Sequence, residues 1–240
     1  MKSLGLIPAR GGSKGIRKKN LQKINGKPLI AYTIEQALKS NLDRVVVATD
    51  DEEIIKVAEK YGADCPFKRP KKISGSKSHA FEIYKYTLEW LIKYENYKPD
   101  ILCVMLCTTP FRRVETINSS LQKLKTKKYD WVFSVNEMEH HPYRAMVKKN
   151  SFIKPLFDIP NHKIWVNRQE LPEMYRFNGG VFASFSKNIL KNTEYNIDNL
   201  KYKNIKVGYE IMTKKEALDI DDPIDLEFVR FLMKKNDTKI

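Results

Sequence analysis

Residues 3–20 read SLGLIPARGGSKGIRKKN, and they predict how the fold begins. Residues 4–7 form a short apolar run, which indicates a first strand at Ser3–Pro8. Three glycines and five cationic side chains stand within residues 7–20, and no acidic residue lies among them. Glycines let backbone N–H groups approach a ligand closely, and the cations offset the charge of a polyphosphate. The stretch therefore predicts a strand that ends in a phosphate-binding loop, with an exposed basic loop as the alternative.

The glycines of this loop follow neither of the common phosphate-binding patterns. The spacing of Gly11, Gly12 and Gly15 matches neither a Walker A loop nor the GxGxxG dinucleotide fingerprint. The prediction of a phosphate site thus depends on flexible backbone beside concentrated positive charge, directly after a strand.

Beyond the loop, apolar runs typical of strands alternate with segments of helical spacing. The strand-like runs lie within residues 44–50, 100–112, 130–135, 179–185 and 204–212. Helical spacing marks residues 29–38, 52–62, 80–95, 114–125 and the segment after Pro223. This alternation predicts an open, mostly parallel, Rossmann-like α/β sheet with helices on both faces. In such sheets, ligands bind beyond the carboxyl ends of the strands, where the glycine-rich loop starts.

Residues 137–176 break this alternation. They contain four prolines and several short alternating stretches, which indicate hairpins and loops inserted into the α/β domain. We interpret the segment as an inserted arm that contacts a second subunit. The chain has no internal repeat, so we predict a single domain over residues 1–240.

The composition is that of a globular protein with an excess of positive charge. The formal net charge is +15 at pH 7, and lysine pairs spread along the chain favour a solvated basic surface. Nucleic acid would favour a concentrated basic stripe with interleaved aromatic residues, and the sequence has none. No apolar run reaches the ~20 residues of a membrane helix. The three cysteines suit a reducing compartment, so we expect a cytoplasmic protein. Because the sequence has neither a basic stripe with aromatic residues nor a long apolar run, we expect no nucleic-acid or membrane partner.

Residues 218–226, LDIDDPIDL, form a second cluster with chemical content. Asp219 and Asp221 are two residues apart, so in extended backbone their side chains share one face, roughly 6–7 Å apart. Two such carboxylates can share a hard cation, and Mg²⁺ needs only one or two of them together with substrate phosphate oxygens. The alternative role is helix capping, for which Asp222 before Pro223 is well suited. We predict both: Asp219 and Asp221 as metal ligands, and Asp222 as a helix N-cap.

Eight short motifs occur in one order along the chain. They are IPARGGSKGIRKKN, RVVVATD, KRP, TTPFR, HHP, NRQELP, RFNGG and LDIDDPIDL. In this order they resemble the acylneuraminate cytidylyltransferases, which are the CMP-sialic acid synthetases and their relatives acting on other nine-carbon keto acids. The similarity spans residues 4–231, and its first and last motifs are specific to the family.

The resemblance implies a reaction and a set of site residues. The anomeric hydroxyl of a nonulosonic acid would attack the α-phosphate of CTP, giving a CMP-sugar and pyrophosphate with Mg²⁺ as cofactor. Lys19 resembles the lysine that stabilises charge at the α-phosphate, and Asp219 and Asp221 match the pair that holds catalytic Mg²⁺. The implied nucleotide-binding residues are Arg10, Gly11, Gly12, Ser13, Lys14, Asn20 and Arg69. The implied sugar-binding residues are Thr108, Arg144, Asn178, Phe182 and Arg168, the last of which resembles the arginine that pairs with the sugar carboxylate.

Several positions differ from the family's usual pattern. Arg17 replaces a proline, and residues 75–77 (GSK) replace an acidic GDT. Leu106 and Cys107 stand before TTPFR, where relatives commonly supply a glutamine to the sugar, and Phe182 stands where many relatives have tyrosine. These departures leave the sugar open: legionaminate, pseudaminate and an acetylated neuraminate are alternatives, as is a guanine nucleotide in place of CTP.

A protein of another class is the remaining alternative, either a non-catalytic sugar-nucleotide sensor or a basic RNA-binding protein. The intact acidic pair argues against a sensor, and the lack of an aromatic stripe argues against RNA. By resemblance, residues 137–176 correspond to the family's dimerisation segment, so we expect a homodimer. Arg144 or Arg168 would then serve either its own site or the site of the neighbouring subunit.

Overall fold

The computed structural model describes residues 1–75, 78–157, 166–191 and 205–237. Its centre is a six-stranded sheet that contains, from edge to edge, β10 (Val207–Ile211), β6 (Trp131–Glu137), β9 (Tyr175–Phe185), β5 (Ile101–Val104), β1 (Ser3–Pro8) and β4 (Arg44–Ala48). β9 runs antiparallel to both of its neighbours, and the other pairs are parallel. The predicted mostly parallel α/β sheet is therefore confirmed.

β1 is buried because it pairs on both sides. Leu6 pairs with Val46 of β4 and with Val104 of β5, and Leu4, Leu6 and Ile7 are fully buried. Continuous apolar runs are typical of parallel strands that are covered on both faces. Because β1, β4 and β5 are parallel, the loops that follow them leave the sheet at the same edge.

Helices cover both faces of the sheet. One face carries α1 (Leu29–Leu38), α2 (Glu52–Lys60), α4 (Val114–Lys125) and α6 (Pro223–Asp237). The other face carries α3 (Ala80–Glu95) and α5 (Ser186–Lys191). Asp51 accepts hydrogen bonds from two backbone N–H groups at the start of α2, which is the role of an N-cap. No helix in the described ranges has both the length and the apolar character to cross a membrane.

A short hairpin links the glycine-rich loop to α1. Its strands, β2 (Lys23–Ile24) and β3 (Lys27–Pro28), pair across Asn25 and Gly26, whose φ angles are 46° and 74°. Positive φ at both central residues is the geometry that favours Asn-Gly. The one-turn 3-10 helix Lys19–Leu21 precedes this hairpin and holds Lys19 at the edge of the sheet.

β9 lies between β5 and β6 and is longer than the sequence predicts. Residues 179–185 were expected to form a strand, and the structure extends it back to Tyr175. The register against β6 shifts between Phe133 and Val135, where the hydroxyl of Ser134 accepts a hydrogen bond from the N–H of Val181 at 2.7 Å. Such a bulge is a common way to redirect side chains at the rim of a sheet.

The arm predicted at residues 137–176 starts and ends on neighbouring strands, because Glu137 of β6 pairs with Tyr175 of β9. Its described part contains a hairpin of β7 (Met146–Lys149) and β8 (Phe152–Pro155), and the one-turn 3-10 helices Pro142–Arg144 and Arg168–Glu170. Residues 158–165 of the arm lie outside the described residues. The role of the arm in dimerisation stays a prediction.

Candidate active site

Three loops meet at the carboxyl edge of the sheet: the glycine-rich loop after β1, the turn after β5, and the acidic loop before α6. A Cβ atom built on Gly15 would lie 2.5 Å from the carbonyl oxygen of Asp221, so the basic and acidic loops touch through their backbones. The N–H of Ile220 donates to the carbonyl of Thr108 at 2.9 Å, which joins the acidic loop to the turn after β5. This is the edge at which parallel α/β sheets bind ligands.

The glycine-rich loop is anchored at its ends and open in its middle. The N–H of Gly11 donates to Oδ1 of Asp50 at 2.9 Å, and the buried Asn20 donates from Nδ2 to the carbonyl of Arg10 at 3.1 Å. A Cβ built on Gly12 would meet no atom of the described chain within 4 Å, leaving its backbone open to a ligand. The predicted nucleotide-binding residues of this open part are Gly12, Ser13 and Lys14.

Lys19 reaches from the 3-10 helix to the acidic loop. Its Nζ donates to the carbonyl of Ile220 at 2.6 Å and lies 3.6 Å from Oδ1 of Asp221. The Lys19 side chain is 15% exposed, whereas that of Asp221 is 81% exposed. Ion pairs with such an exposed partner are weak in water, so Lys19 can exchange this contact for a stronger anion. The structure thus brings the predicted catalytic lysine to the predicted acidic pair.

Asp219 is the more buried member of the pair. The Thr108 side chain hydrogen-bonds its carboxylate, while Oδ1 is buried without a hydrogen-bond partner in the described chain. Burial is the main cause that raises the pKa of Asp219. The Thr108 hydrogen bond lowers this pKa, the charge of Asp221 raises it, and Lys19 and Arg176 lower it. A buried carboxylate oxygen without a partner is costly, and a bound ligand would relieve that cost.

Asp222 caps α6, as predicted. Its Oδ1 accepts from the N–H of Asp225 at 3.0 Å, and Oδ2 of Asp225 accepts from the N–H groups of Asp221 at 2.9 Å and of Asp222 at 3.0 Å. Pro223 occupies the first helical position, where a missing N–H is tolerated. These reciprocal bonds fix the backbone of the acidic loop where it contacts Gly15.

Arg112 is a buried cation to which the sequence assigns no role. Its side chain is 2% exposed, and burial lowers its pKa to about 10. Nη1 donates to the carbonyls of Leu106 at 3.2 Å and of Gly180 at 2.7 Å. Nη2 donates to Oε1 of Gln36 at 3.0 Å. Arg112 therefore ties the turn after β5 to β9 and to α1.

Arg69, predicted on the cytidine side, is buried next to the glycine-rich loop. Its Nε donates to the carbonyl of Ile73 at 3.0 Å, and Nη2 bonds the same oxygen. Burial lowers the pKa of Arg69, while the charge of Asp50 raises it and that of Arg10 lowers it. Arg10 in turn donates from Nη1 to the carbonyl of Gly75 at 3.4 Å. Both arginines thus hold the 3-10 helix Lys71–Ile73 and its flank against the loop.

An apolar cavity of about 280 Å³ lies beside the turn after β5. Leu106 and the predicted sugar-side residues Asn178 and Phe182 line it. The carboxamide of Asn178 donates to Oδ1 of Asn136 at 3.1 Å and accepts from the N–H of Gly180 at 3.1 Å. The structure therefore groups two predicted sugar-side residues with the turn that also carries Thr108.

The two predicted arginines of the arm stand apart from this group. Arg144 is exposed, and its Nη2 donates to the carbonyl of Val166 at 2.6 Å, so its hydrogen bond stays within the arm. Arg168 begins a one-turn helix, and its side chain lies outside the described part of the chain. The pairing of either arginine with a substrate carboxylate stays a prediction.

Sequence reasoning missed Asp50, Arg112 and the carbonyl of Ile220. Asp50 ends the motif RVVVATD at the carboxyl end of β4, so parallel pairing with β1 was the signal for its contact with the glycine-rich loop. Arg112 lies inside the quoted motif TTPFR, but only the meeting of Leu106 with Gly180 reveals its role. The sequence gives no signal for a contact made by a backbone carbonyl, such as the hydrogen bond that Ile220 accepts from Lys19.

Comparison with known proteins identifies the family. The profile of the family described as cytidylyltransferase matches residues 4–238. The chain belongs to this family. It is 33% identical over 237 residues to the pseudaminic acid cytidylyltransferase of Campylobacter jejuni, with 98% of each chain covered. It is 34% identical over 250 residues to the N-acylneuraminate cytidylyltransferase of Escherichia coli O18:K1:H7, which covers all of this chain and 54% of that one.

The predicted resemblance to the acylneuraminate cytidylyltransferases is thus confirmed, and the chain is an enzyme that transfers CMP. A solved CMP:2-keto-3-deoxy-manno-octonic acid synthetase complexed with CTP has the same fold, with a TM-score of 0.71 and 20% identity. The likeness covers 98% of this chain and 100% of that one, and it agrees with the mostly parallel sheet described above.

Proposed function

We propose that this enzyme joins CTP to an acidic nine-carbon keto-acid sugar and releases pyrophosphate. The anomeric hydroxyl oxygen would form a bond to the α-phosphorus, and the bond from that phosphorus to the oxygen bridging to the β-phosphate would break. The hydroxyl proton would be released. The observation that carries the proposal is the meeting of Lys19 with the acidic loop at the sheet edge, in a chain whose relatives are named for pseudaminic and N-acylneuraminic acids.

The glycine-rich loop would bind the triphosphate. Its open backbone at Gly12, its cations, and the anchoring bonds of Gly11 and Asn20 support this role. Lys19 would exchange its weak contact with Asp221 for an oxygen of the α-phosphate, because a charge-assisted bond to phosphate is stronger. Nucleotidyl transfer, like phosphoryl transfer, depends mainly on positioning and charge stabilisation. The loop needs no further catalytic group for those two tasks.

Asp219 and Asp221 would hold a magnesium ion. The partnerless Oδ1 of Asp219 and the exposed carboxylate of Asp221 fit a hard cation that prefers oxygen ligands. Among the described residues there is no group of three or more His, Cys, Asp or Glu side chains that could hold a metal, so phosphate oxygens and water would complete the shell. When bound, the ion would neutralise phosphate charge. Thr108 would keep the Asp219 carboxylate in place through its hydrogen bond.

The carboxylate of the sugar would be bound by an arginine. Arg168 is our first candidate and Arg144 the second, because a guanidinium can bind a planar carboxylate with two parallel hydrogen bonds. Asn178 and Phe182 would line the sugar pocket, as their position on the cavity wall supports. Two acidic substrates repel each other strongly in a dry cleft. The arginine at the sugar carboxylate and the cations of the glycine-rich loop at the triphosphate are therefore both needed.

We also propose that the enzyme is a homodimer that associates through its arm. Phe152 and Ile153 at the start of β8 are 75% and 69% exposed. Further exposed apolar side chains of the arm are Met146, Val147, Leu156 and Phe157. Groups of exposed apolar side chains mark interaction sites. Light scattering should report a dimer for the parent chain and a monomer for a Phe152→Ser, Ile153→Ser double variant.

We propose that the enzyme is located in the reducing cytoplasm, and its cysteines support this location. Cys65, Cys103 and Cys107 are free thiols. Burial raises the pKa of both Cys103 and Cys107 to about 12, so these two thiols are unreactive core residues.

The test is a panel of nucleotides against sugar acids. CTP, GTP, ATP and UTP would each be combined with pseudaminic, N-acetylneuraminic or diacetyllegionaminic acid, with and without Mg²⁺, and pyrophosphate release measured. We expect release only when CTP, Mg²⁺ and one of the acids are present together. Release with another nucleotide but not with CTP, or release with no pair, would refute the proposal.

A matched pair of variants tests the acidic pair. Asp221→Asn and Asp222→Asn remove the same charge one residue apart, and asparagine is as good an N-cap as aspartate. We expect Asp221→Asn to lose turnover and Asp222→Asn to keep it. Full turnover in Asp221→Asn would exclude this carboxylate from the mechanism.

A further inference from the structure

The last helix, α6, has apolar side chains on its solvent side as well as on its core side. Leu226 and Val229 are buried in the core. Ile224, Phe228 and Phe231 are 74%, 48% and 62% exposed. Residues at positions i, i+4 and i+7 share one face of a helix, so the three exposed side chains form one stripe, which we call the α6 stripe. Helices that are apolar on two sides are typically buried on both, so the α6 stripe marks a surface that another molecule covers.

Charge is divided along the same helix. Asp225 and Glu227 lie in its N-terminal half. The charged residues at positions 230–235 are all basic: Arg230, Lys234 and Lys235. If two copies of α6 lay side by side in parallel, acidic residues would face acidic ones and basic residues would face basic ones. In the antiparallel arrangement each acidic half lies beside a basic half, and the two helix dipoles oppose each other. A twofold axis across the helix produces this arrangement, so the surface is complementary to itself.

We propose that the α6 stripe binds the α6 stripe of a second copy of this chain, with the two helices antiparallel. Phe228 would lie opposite Phe228 of the second copy, near the twofold axis, and Ile224 would lie opposite Phe231 of the second copy. Lys235 is four residues beyond Phe231 and so continues the same face. It would lie beside the acidic start of the second copy's helix, where Asp222 stands. The inference goes beyond the proposed function and concerns a surface that the reaction does not use.

The interface would be weak because the stripe is small. α6 has 15 residues, so it is about 22 Å long, and a helix is roughly 10–12 Å wide. A face of these dimensions buries on the order of 300 Å² per copy, whereas a standard stable interface buries about 800 Å² per partner. Complexes with such small interfaces are transient, so we expect a dissociation constant of about 20–200 µM. Below about 5 µM the contact would be largely dissociated, and the mass in solution would report association through the arm alone.

Association through α6 would add to association through the arm, because the two surfaces share no residue. A chain with two such surfaces joins its dimers into tetramers or longer assemblies. In the Phe152→Ser, Ile153→Ser double variant, which lacks the arm contact, α6 would instead join two monomers. Both chains should therefore gain mass as the protein concentration rises, and the contribution of α6 is the part that Phe228→Gln removes.

The experiment is sedimentation velocity from about 2 to 500 µM protein, a range that brackets the expected dissociation constant. It is run on the parent chain and on the arm double variant, each with and without Phe228→Gln. Tyr94→Gln is the matched control, since Tyr94 is a comparably exposed aromatic residue (61%) on α3, at the other face of the sheet. In the arm double variant, with or without Tyr94→Gln, the weight-average mass should rise at least about 1.5-fold over the range. Phe228→Gln should weaken this association about 10-fold or more.

Single cysteines test the orientation of the two helices. In the arm double variant, Cys65→Ser removes the described thiol that is not buried. Ile224→Cys and Phe231→Cys are then oxidised at about 500 µM, each alone and as an equimolar mixture. A disulfide needs Cα atoms within about 7 Å, so the antiparallel arrangement predicts at least about 3-fold more cross-linked dimer in the mixture than in either variant alone. A higher yield from the variants alone would overturn this arrangement.

Three further results would overturn the inference. A mass that stays constant over the whole range in the arm double variant would show that α6 does not pair. Equal association in Phe228→Gln and Tyr94→Gln, both shown to be folded by circular dichroism, would place the contact elsewhere. Binding to vesicles of phosphatidylcholine and phosphatidylglycerol that Phe228→Gln abolishes, without self-association, would assign the stripe to a lipid surface. None of these measurements needs a substrate, so the inference and the proposed reaction are tested separately.

Discussion

The contact between the basic and acidic loops makes Gly15→Ala the sharpest test of the site. The added Cβ would lie 2.5 Å from the carbonyl oxygen of Asp221, whereas ordinary contacts begin at 3.4 Å, so the loops must separate by about 0.9 Å. The obstacle is a backbone atom fixed by the Asp222–Asp225 cap, so it cannot rotate away. Lys19 and Asp219 sit on the two loops that would move apart.

A displacement of this size has a large effect on catalysis. A 1 Å misplacement of a reacting group costs roughly 100-fold in rate, which corresponds to about 2.7 kcal/mol of transition-state stabilisation. We expect kcat/KM for pyrophosphate release from CTP to fall about 10- to 100-fold in Gly15→Ala. Because the Cβ meets a backbone atom, the free energy of unfolding should also fall, by about 1–3 kcal/mol.

Two other glycines separate the possible causes of such a loss. Among the described residues, the nearest neighbour of a Cβ on Gly75 would be Oγ of Ser78, at 3.6 Å, so Gly75→Ala controls for the loss of a glycine alone and should keep its activity. A Cβ on Gly12 would meet no described atom within 4 Å, so a loss in Gly12→Ala would report on the approach of the ligand. If Gly15→Ala kept kcat/KM within 3-fold of the parent chain, contact between these loops would not position the reacting groups.

Arg112→Met should destabilise the chain by about 2–5 kcal/mol in urea unfolding, because it leaves the carbonyls of Leu106 and Gly180 buried without their donor. Asp219→Asn should abolish turnover. It should also raise the midpoint temperature of thermal unfolding when this is measured at pH 7 in the presence of a metal chelator. Because burial raises the folded pKa of Asp219 above its ordinary 3.8, the stability of the parent chain falls as pH rises from 3.8 through that raised pKa, and the variant lacks this fall. Scans at pH 4 and pH 7 check this, and an equal midpoint for both proteins at pH 7 would contradict it. Asp51→Ala should cost about 1 kcal/mol of stability by removing the N-cap of α2, measured by the same unfolding assay.

The parallel part of the fold could be predicted because its signals are local. Residues 45–48 (VVVA) are continuously apolar, as a strand buried on both faces requires, and Asp51 and Gly62 mark the ends of α2. The direction of β9 could not be predicted in this way. Alternation along residues 179–185 is the same for either direction, and the direction depends on the arm, which returns the chain beside β6 at Glu137 and Tyr175.

The candidate site was predictable where it follows from the sheet edge, and hidden where it depends on packing. Lys19 and the acidic pair come from loops that a parallel sheet must bring to one edge. The role of Arg112 required the knowledge that β9 lies beside β5, since only then do the carbonyls of Leu106 and Gly180 face one guanidinium. The opposite exposures of Asp219 and Asp221 likewise arise from tertiary contacts that their two-residue spacing does not contain.

This difference in exposure has a chemical consequence. A solvated carboxylate loses little free energy when it separates from a cation. A buried carboxylate, which lacks water, gains more free energy when a cation binds to it. Asp221 can therefore release Lys19 to the triphosphate at low cost, while Asp219, with a partnerless oxygen and a raised pKa, favours a cation beside it. The groups that the proposed reaction uses are thus weakly satisfied before the substrate arrives. Their electrostatic cost in the free enzyme is relieved when a triphosphate and a divalent cation bind together, which favours joint binding over binding of either one alone.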